Sequence, residues 1–322
     1  MKKVGRFLLR LSLVLLLVLI IALLVLDRFI QFRMDDGQYA TYFYQKGLTP
    51  HISYYSSHNR EIRYASIGTD TSATIFFIHG APSSLSYYRD YMSDSTLLNK
   101  ATMFAVDRPG YGYSGLGKPE PSIETQVQCI VPILDSLNKV HRPLIIVGAS
   151  FGSSIACRLV MDHPELADGL VIIAPPLAPG EEKVFWFSPL VESPVLNWIV
   201  PRMLQSANTE KLQHKQELTK MLPLWKNIKI PVIYMQGMED ELVYTTNADF
   251  ARKHFTHVPY LDIDMIQHRG HLLAFSEKEK IKTAIIHMID LANKNIAGQL
   301  NTHGNALSQG NTATKNALSA TH

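Results

Sequence analysis

One serine stands in a setting that changes its chemistry. Gly148-Ala149-Ser150-Phe151-Gly152 is a G-x-S-x-G, preceded by the apolar run 144–147 and followed by Ile155, Ala156, Leu159 and Val160 at helical spacing. A sharp strand-to-helix turn of this kind lifts the serine hydroxyl above a sheet, with glycines relieving the crowding on either side. The helix that follows also aims its positive end at the place where negative charge develops. A serine hydroxyl is a poor nucleophile unless a base takes its proton and a third group orients that base. The chain supplies both kinds of residue further on. Glu239, Asp240 and Glu241 follow the apolar run 232–235, and His268 and His271 follow a strand-like run at 261–263. The chemistry implied is attack of Ser150 on a carbonyl.

Such residues meet only if a fold carries them to one edge. Short apolar runs recur at 62–67, 74–78, 102–106, 144–147, 170–174, 232–235 and 260–263, rich in Val, Ile and Phe. Runs of this length and composition predict strands buried on both faces. Helical patterns lie between them. Ser122 is placed to cap a helix with Ile123, Val127, Ile130, Val131, Leu134 and Leu137 on one face, in which Pro132 should bend the helix or displace its start. Ser276 and Glu279 read as a capping box before Ile281, Ile285, Met288 and Ile289. The alternation predicts an α/β fold with a mostly parallel sheet flanked by helices.

With these residues in place, the chain resembles the α/β-hydrolase-fold serine hydrolases over roughly residues 60–295. His79-Gly80-Ala81-Pro82 is similar to the family's H-G-x-P segment, and Asp107 to Ser114 (DRPGYGYS) to its D-x-x-G-x-G-x-S stretch. Gly237-Met238-Glu239-Asp240 resembles its G-x-x-D turn, and Gly270-His271 its G-H pair. The resemblance implies an eight-stranded-type sheet, with Ser150 as nucleophile, Asp240 as the acid and His271 as the base. It also implies an oxyanion hole made by the amides of Ala81 and Phe151, with His79 bracing the oxyanion loop. A serine at the elbow, where the family's dehalogenases and epoxide hydrolases carry an aspartate, speaks for acyl chemistry. No metal or organic cofactor is implied. The two H-x-x-H pairs, His254/His257 and His268/His271, lack a Cys or H-E-x-x-H context.

The stretch from about 176 to 229 has no strand-like run and is expected to form a short helical cap over the site. Within it Phe185, Trp186, Phe187, Trp198 and Ile199 are candidates either to line an apolar acyl pocket or to glue the cap to the core. Cys129 and Cys157, both on expected helices, read as buried free thiols. Two cysteines in 322 residues exclude a disulfide-stapled small fold.

The ends complete the picture. Residues 7–26 form a 20-residue apolar stretch interrupted only by Arg10. As a helix at about 1.5 Å per residue it reaches about 30 Å, a bilayer's hydrocarbon core. No small-residue cleavage site follows, so an uncleaved transmembrane signal anchor is expected rather than a removed signal. The basic segment 1–6 with Arg10 carries Lys2, Lys3, Arg6 and Arg10, while the far flank mixes Arg28 and Arg33 with Asp27, Asp35 and Asp36. That asymmetry keeps the N-terminus in the cytoplasm and exports the rest, into the periplasm of a Gram-negative cell. Without those four basic residues the net charge of +3 becomes −1, so nucleic-acid binding is excluded for the folded part. Residues 27–50 read as a linker, 51–297 as the hydrolase domain, and 298–322 as a disordered polar tail. The expected protein is a membrane-anchored hydrolase of carboxylic esters, with a small-molecule or lipid-like acyl substrate. Its alternatives are amide or peptide cleavage, C–C bond hydrolysis or acyl transfer on the same residues, or a non-catalytic binding protein of the same fold.

Overall fold

The computed structural model describes residues 2–69, 72–137, 143–193 and 197–295. The segment 298–322, expected as a disordered tail, lies outside the described residues. Helix α1 (Lys2–Phe29) exposes its apolar side chains along its length. Its most apolar window has mean hydropathy 3.1 and none of that window is buried in the protein, so length and composition allow it to cross a membrane.

The expected linker is corrected by helix α2 (Asp36–Tyr44), which starts in a capping box between Asp35 and Gln38. Tyr39 and Phe43, one turn apart, are fully buried against the sheet. Burying one such side chain contributes about 1.5–3 kcal/mol, so this segment belongs to the core. Two buried side chains in a nine-residue helix are too few to register as a period, which is why the segment reads as a linker in sequence.

Among the described residues eight strands form one sheet: β1 (His51–Ser57), β2 (Arg60–Ile67), β3 (Ala73–Ile78), β4 (Ala101–Val106), β5 (Leu144–Ala149), β6 (Gly169–Ile173), β7 (Val232–Gly237) and β8 (Leu261–Ile266). Their spatial order is β1-β2-β4-β3-β5-β6-β7-β8. β2 is antiparallel to β1 and β4, and every pairing from β4 to β8 is parallel. β1 has no counterpart among the expected strands because it is an edge strand of polar composition. The central strands alternate their side chains between two cores. In β3, Phe76 and Ile78 face one layer while Ile75 and Phe77 face the other.

Helices α3 (Ile123–Leu137) and α4 (Phe151–Asp162) cover the first layer. Ser122 Oγ accepts the Thr125 amide at 3.2 Å, and α3 starts where expected and runs continuously through Pro132. The cap follows β6. Its main element is α5 (Arg202–Met221), accompanied by short turns at Ser188–Val191, Asn197–Ile199 and Leu222–Asn227. α5 buries Met203, Leu218 and Met221 together with the polar Ser206, Glu210, His214 and Glu217. After β7 comes α6 (Thr246–His254), and after β8 a final helix α7 over 278–295. The latter buries Ile281, Ile285, Met288 and Ile289 in the second layer. Ser276 does not cap it as expected: it ends a separate short helix, Leu273–Ser276, and Glu277 supplies the carbonyl that receives the Ile281 amide.

Candidate active site

Three strand ends build the site. Between β5 and α4, Ser150 adopts φ 50° and ψ −128°, a conformation that costs an L-residue about 1–3 kcal/mol. The turn is held by the Ser150 amide, which donates to the Ile173 carbonyl at 2.8 Å. Gly152 is required by close approach: a Cβ there would sit 2.3 Å from the Ile78 carbonyl oxygen and 2.5 Å from that of His79. The elbow and the loop after β3 are therefore pressed together backbone to backbone.

After β7, Asp240 turns inward. Its Oδ1 accepts the amides of Leu242 and Val243, each at 2.9 Å, and its side chain is fully buried. Its Oδ2 faces His271 Nδ1 at 2.9 Å, and His271 Nε2 lies 2.9 Å from Ser150 Oγ. The carboxylate can only accept, so Nδ1 donates and Nε2 keeps a lone pair toward the serine. The His271 side chain remains 13% exposed, so the chain of hydrogen bonds ends at an accessible edge. The rival residues go elsewhere. His268, 85% exposed, pairs at 3.2 Å with Glu239, and Glu241 is exposed.

Ala81 follows β3 and precedes a cis peptide to Pro82, and Phe151 opens α4 next to Ser150. Gly80 packs on the nucleophile candidate itself, since a Cβ there would lie 2.9 Å from Ser150 Cβ. His79 is fully buried behind this loop. Its Nδ1 donates to the Gly80 carbonyl at 2.7 Å and its Nε2 accepts the Arg108 amide at 3.0 Å. Burial first, and the neighbouring Arg108 charge second, push His79 well below the usual histidine range, which keeps it neutral and able to accept.

The aromatic candidates of the cap are exposed rather than buried between cap and core. Phe185, Trp186 and Trp198 are 39%, 84% and 61% exposed, and Phe187 is exposed with them. Ile199 is half-buried. α5 holds the cap by its own buried side chains, with Trp225 of the turn after it buried as well, while Trp186 and Trp198 stay exposed. What the sequence did not disclose is a buried ion pair, Arg108 with Glu210 of α5, at 2.7 Å beside the His79–Gly80 loop. Arg108 sits in the DRPGYGYS stretch, where a charge among glycines was the available signal; Glu210 sits in a helix that reads as polar surface.

Among the described residues no group of three or more His, Cys, Asp or Glu is arranged to hold a metal. His254 stacks on Phe250 with ring centroids 4.0 Å apart, and His271 is committed to Ser150 and Asp240. Cys129 and Cys157 are buried, and burial pushes both thiols up, away from the reactive thiolate.

This strand order, with Ser150, Asp240 and His271 following β5, β7 and β8, coincides with the outcome of comparison with known proteins. Residues 69–224 match the family model of the serine aminopeptidases, S33, a group of hydrolases. The chain has the α/β-hydrolase fold. The chain is 25% identical over 222 residues to monoacylglycerol lipase abhd6-B of Xenopus laevis, a match covering 66% of this chain and 62% of that one. It is 30% identical over 114 residues to a "probable alcohol acetyltransferase" of Cyberlindnera fabianii, covering 34% and 30% respectively. The chain thus spans less than two thirds of the length of either of these relatives. Among solved structures it is similar to a bacterial membrane phospholipase A described as a virulence factor. That likeness has a TM-score of 0.62 at 19% identity and covers 90% of this chain and 99% of that one.

Proposed function

We propose that this protein is a membrane-anchored serine hydrolase that cleaves carboxylic esters of lipid-like acyl groups. The observation that carries the reading is the unbroken hydrogen-bond chain from Ser150 through His271 to Asp240. His271 Nε2 takes the Ser150 proton as Oγ attacks the ester carbonyl. The carbonyl oxygen becomes an oxyanion facing the amides of Ala81 and Phe151, each such donor being worth about 3–4 kcal/mol in comparable sites. The tetrahedral intermediate collapses, His271 returns the proton to the leaving alcohol, and an acyl-Ser150 ester remains. Water, deprotonated by His271, then attacks that ester and releases the acid. Asp240 stays ionised throughout and keeps Nδ1 as the protonated nitrogen.

Two features support a lipid-like substrate at a membrane. α1 is long and apolar enough to span a bilayer, and four Lys/Arg precede or enter its first turns while acids gather on the far side. In this reading the N-terminus is cytoplasmic, the residues after α1 lie outside, and the catalytic unit runs from α2 to α7. Asp27, immediately after the apolar stretch, is bonded to Arg202 at the start of the cap helix, at 2.7–3.0 Å. The exposed Phe185, Trp186, Phe187 and Trp198 belong to the same cap, and aromatic side chains of this kind favour the bilayer surface.

A fluorophosphonate probe tests the core of the reading. Wild-type protein is expected to be labelled at Ser150 and Ser150→Ala to remain unlabelled; equal labelling of both would overturn it. A panel of p-nitrophenyl esters of graded chain length, set beside amide substrates, tests the bond class, and a preference for amides over every ester would refute ester hydrolysis. External protease on spheroplasts should digest the domain after Asp27, and complete protection would reverse the orientation.

A further inference from the structure

The buried Arg108–Glu210 pair sits apart from the reacting groups yet leans on the loop beside them. A guanidinium offers five N–H donors in a rigid planar fork. In Arg108 all five are committed. Nε donates to the His79 carbonyl at 2.8 Å and Nη2 to the Gly80 carbonyl at 3.1 Å. Nη1 donates to Gln126 Oε1 and to Glu210 Oε1, both at 2.7 Å, and Nη2 also reaches Glu210 Oε2 at 3.1 Å. Glu210 is itself held by Tyr111 Oη at 2.6 Å and by Gln126 Nε2 at 2.8 Å. Both charged side chains are fully buried.

Peptide geometry gives this clamp a direction. The Gly80 carbonyl and the Ala81 N–H belong to one planar unit, and this bond is trans, so the two groups point opposite ways. Two donors, His79 Nδ1 and Arg108 Nη2, fix the carbonyl end. Fixing that end fixes where the Ala81 N–H points. Among the described residues this N–H donates to no protein acceptor. We propose that Glu210, on the cap helix, is a positioning residue for the oxyanion hole: through the fork of Arg108 it aims the Ala81 amide at the reacting carbonyl. This rests on the reading of Ser150 as nucleophile and Ala81 as oxyanion donor. A cap that shifts and carries Glu210 with it takes two of the five hydrogen bonds from Arg108, and the oxyanion loop loses its brace. Cap position and transition-state stabilisation are thereby coupled without any cap residue touching the substrate's reacting atoms.

The test compares three variants of the full chain. Glu210→Gln leaves the Arg108 charge buried without its counter-ion and is prone to unfold, so the double variant Arg108→Met/Glu210→Met removes both charges at once. Glu210→Asp keeps the charge and shortens the reach. Removal of one oxyanion donor lowers kcat by about 10²–10³-fold in a related case, so a misaimed donor is expected to lower it by about 10–100-fold. In the double variant KM should stay within about 3-fold, because only transition-state stabilisation is lost. Affinity for a trifluoromethyl ketone, which forms a tetrahedral oxyanion on the serine, should fall in parallel with kcat. Glu210→Asp should fall between the double variant and wild type. End-point fluorophosphonate labelling should stay complete, which separates a misaimed hole from a lost serine site. If either the double variant or Glu210→Asp is folded and fully labelled yet keeps wild-type kcat and ketone affinity, the proposal is overturned. Failure of the wild-type protein to label refutes the serine-hydrolase reading on which it rests.

Discussion

Ser150 and Ser154 stand one turn apart at the start of α4, and each is hydrogen-bonded to a histidine that is bonded in turn to a carboxylate. For Ser150 the partners are His271 and Asp240, at 2.9 Å and 2.9 Å. For Ser154 they are His214 and Glu182, at 3.2 Å and 2.6 Å. The residue types are nearly the same, and the differences lie in backbone, access and the fate of one proton. Ser150 sits on a strained elbow at φ 50°, beside an accessible histidine. Ser154 lies inside the helix, and it and His214 are fully buried. Its hydroxyl donates to the Pro176 carbonyl at 2.7 Å. His214 must then donate from Nε2 to Ser154 and from Nδ1 to Glu182, which leaves it no lone pair with which to take a proton. The second chain ties cap to core, and its donor pattern is the reverse of what a general base needs.

The largest expected contrast separates the two serines. Ser150→Ala should lower kcat by roughly 10⁶-fold, the scale seen when a serine nucleophile is removed from a comparable triad. Ser154→Ala should leave kcat within about 3-fold while lowering the melting temperature. Steady-state hydrolysis of one ester by the two variants measures this. A comparable loss in Ser154→Ala would mean that the two chains act as one system.

The acids sharpen the comparison next. Asp240→Asn should lower kcat by about 10⁴-fold with stability little changed, because the amide favours the wrong tautomer of His271. Glu182→Gln should do the opposite. It leaves His214 and Lys211, 2.6 Å from the carboxylate, without their counter-ion in a buried site. Breaking one side of such a pair costs about 3–5 kcal/mol. Denaturant unfolding and kcat measured on the same two variants test the exchange of roles, and loss of activity in Glu182→Gln without loss of stability would contradict it.

The first chain was legible in sequence and the second was not, for a physical reason. Ser150, Asp240 and His271 each follow a strand end whose apolar run is visible, and each has a glycine close by in sequence, Gly152, Gly237 and Gly270, the first two required by close backbone approach. Glu182 and His214 belong to no such local pattern. They meet across 32 residues inside a cap whose inner face is polar, so α5 carries little apolar periodicity to announce which side is buried. The same holds for Arg108 and Glu210, which are 102 residues apart. β1 and α2 were hidden for a related reason: a polar edge strand and a helix with two buried aromatics bury too little apolar surface to leave a period. The aromatics of the cap stand exposed, since large apolar residues mark burial only on average.

The smallest effect concerns acid. Burial would raise the Glu182 carboxyl, but the His214 and Lys211 charges outweigh it and hold the group down to about 2. An unfolded glutamate titrates near 4.3. Because the folded value lies below the unfolded one, the stabilisation is complete above about 4.3 and is lost progressively as pH falls toward 2. Other carboxylates titrate over the same range, so the informative quantity is the stability gap between wild type and Glu182→Gln. That gap should narrow steadily as pH falls from about 5 to 3, as wild type loses what the variant never had. Urea unfolding of both proteins from pH 7 to 3 measures it. A gap that stays constant down to pH 3 would mean that Glu182 is not ionised against His214 in the folded protein. The buried chain would then be a neutral hydrogen-bonded relay, unlike the Ser150 chain with its ionised Asp240.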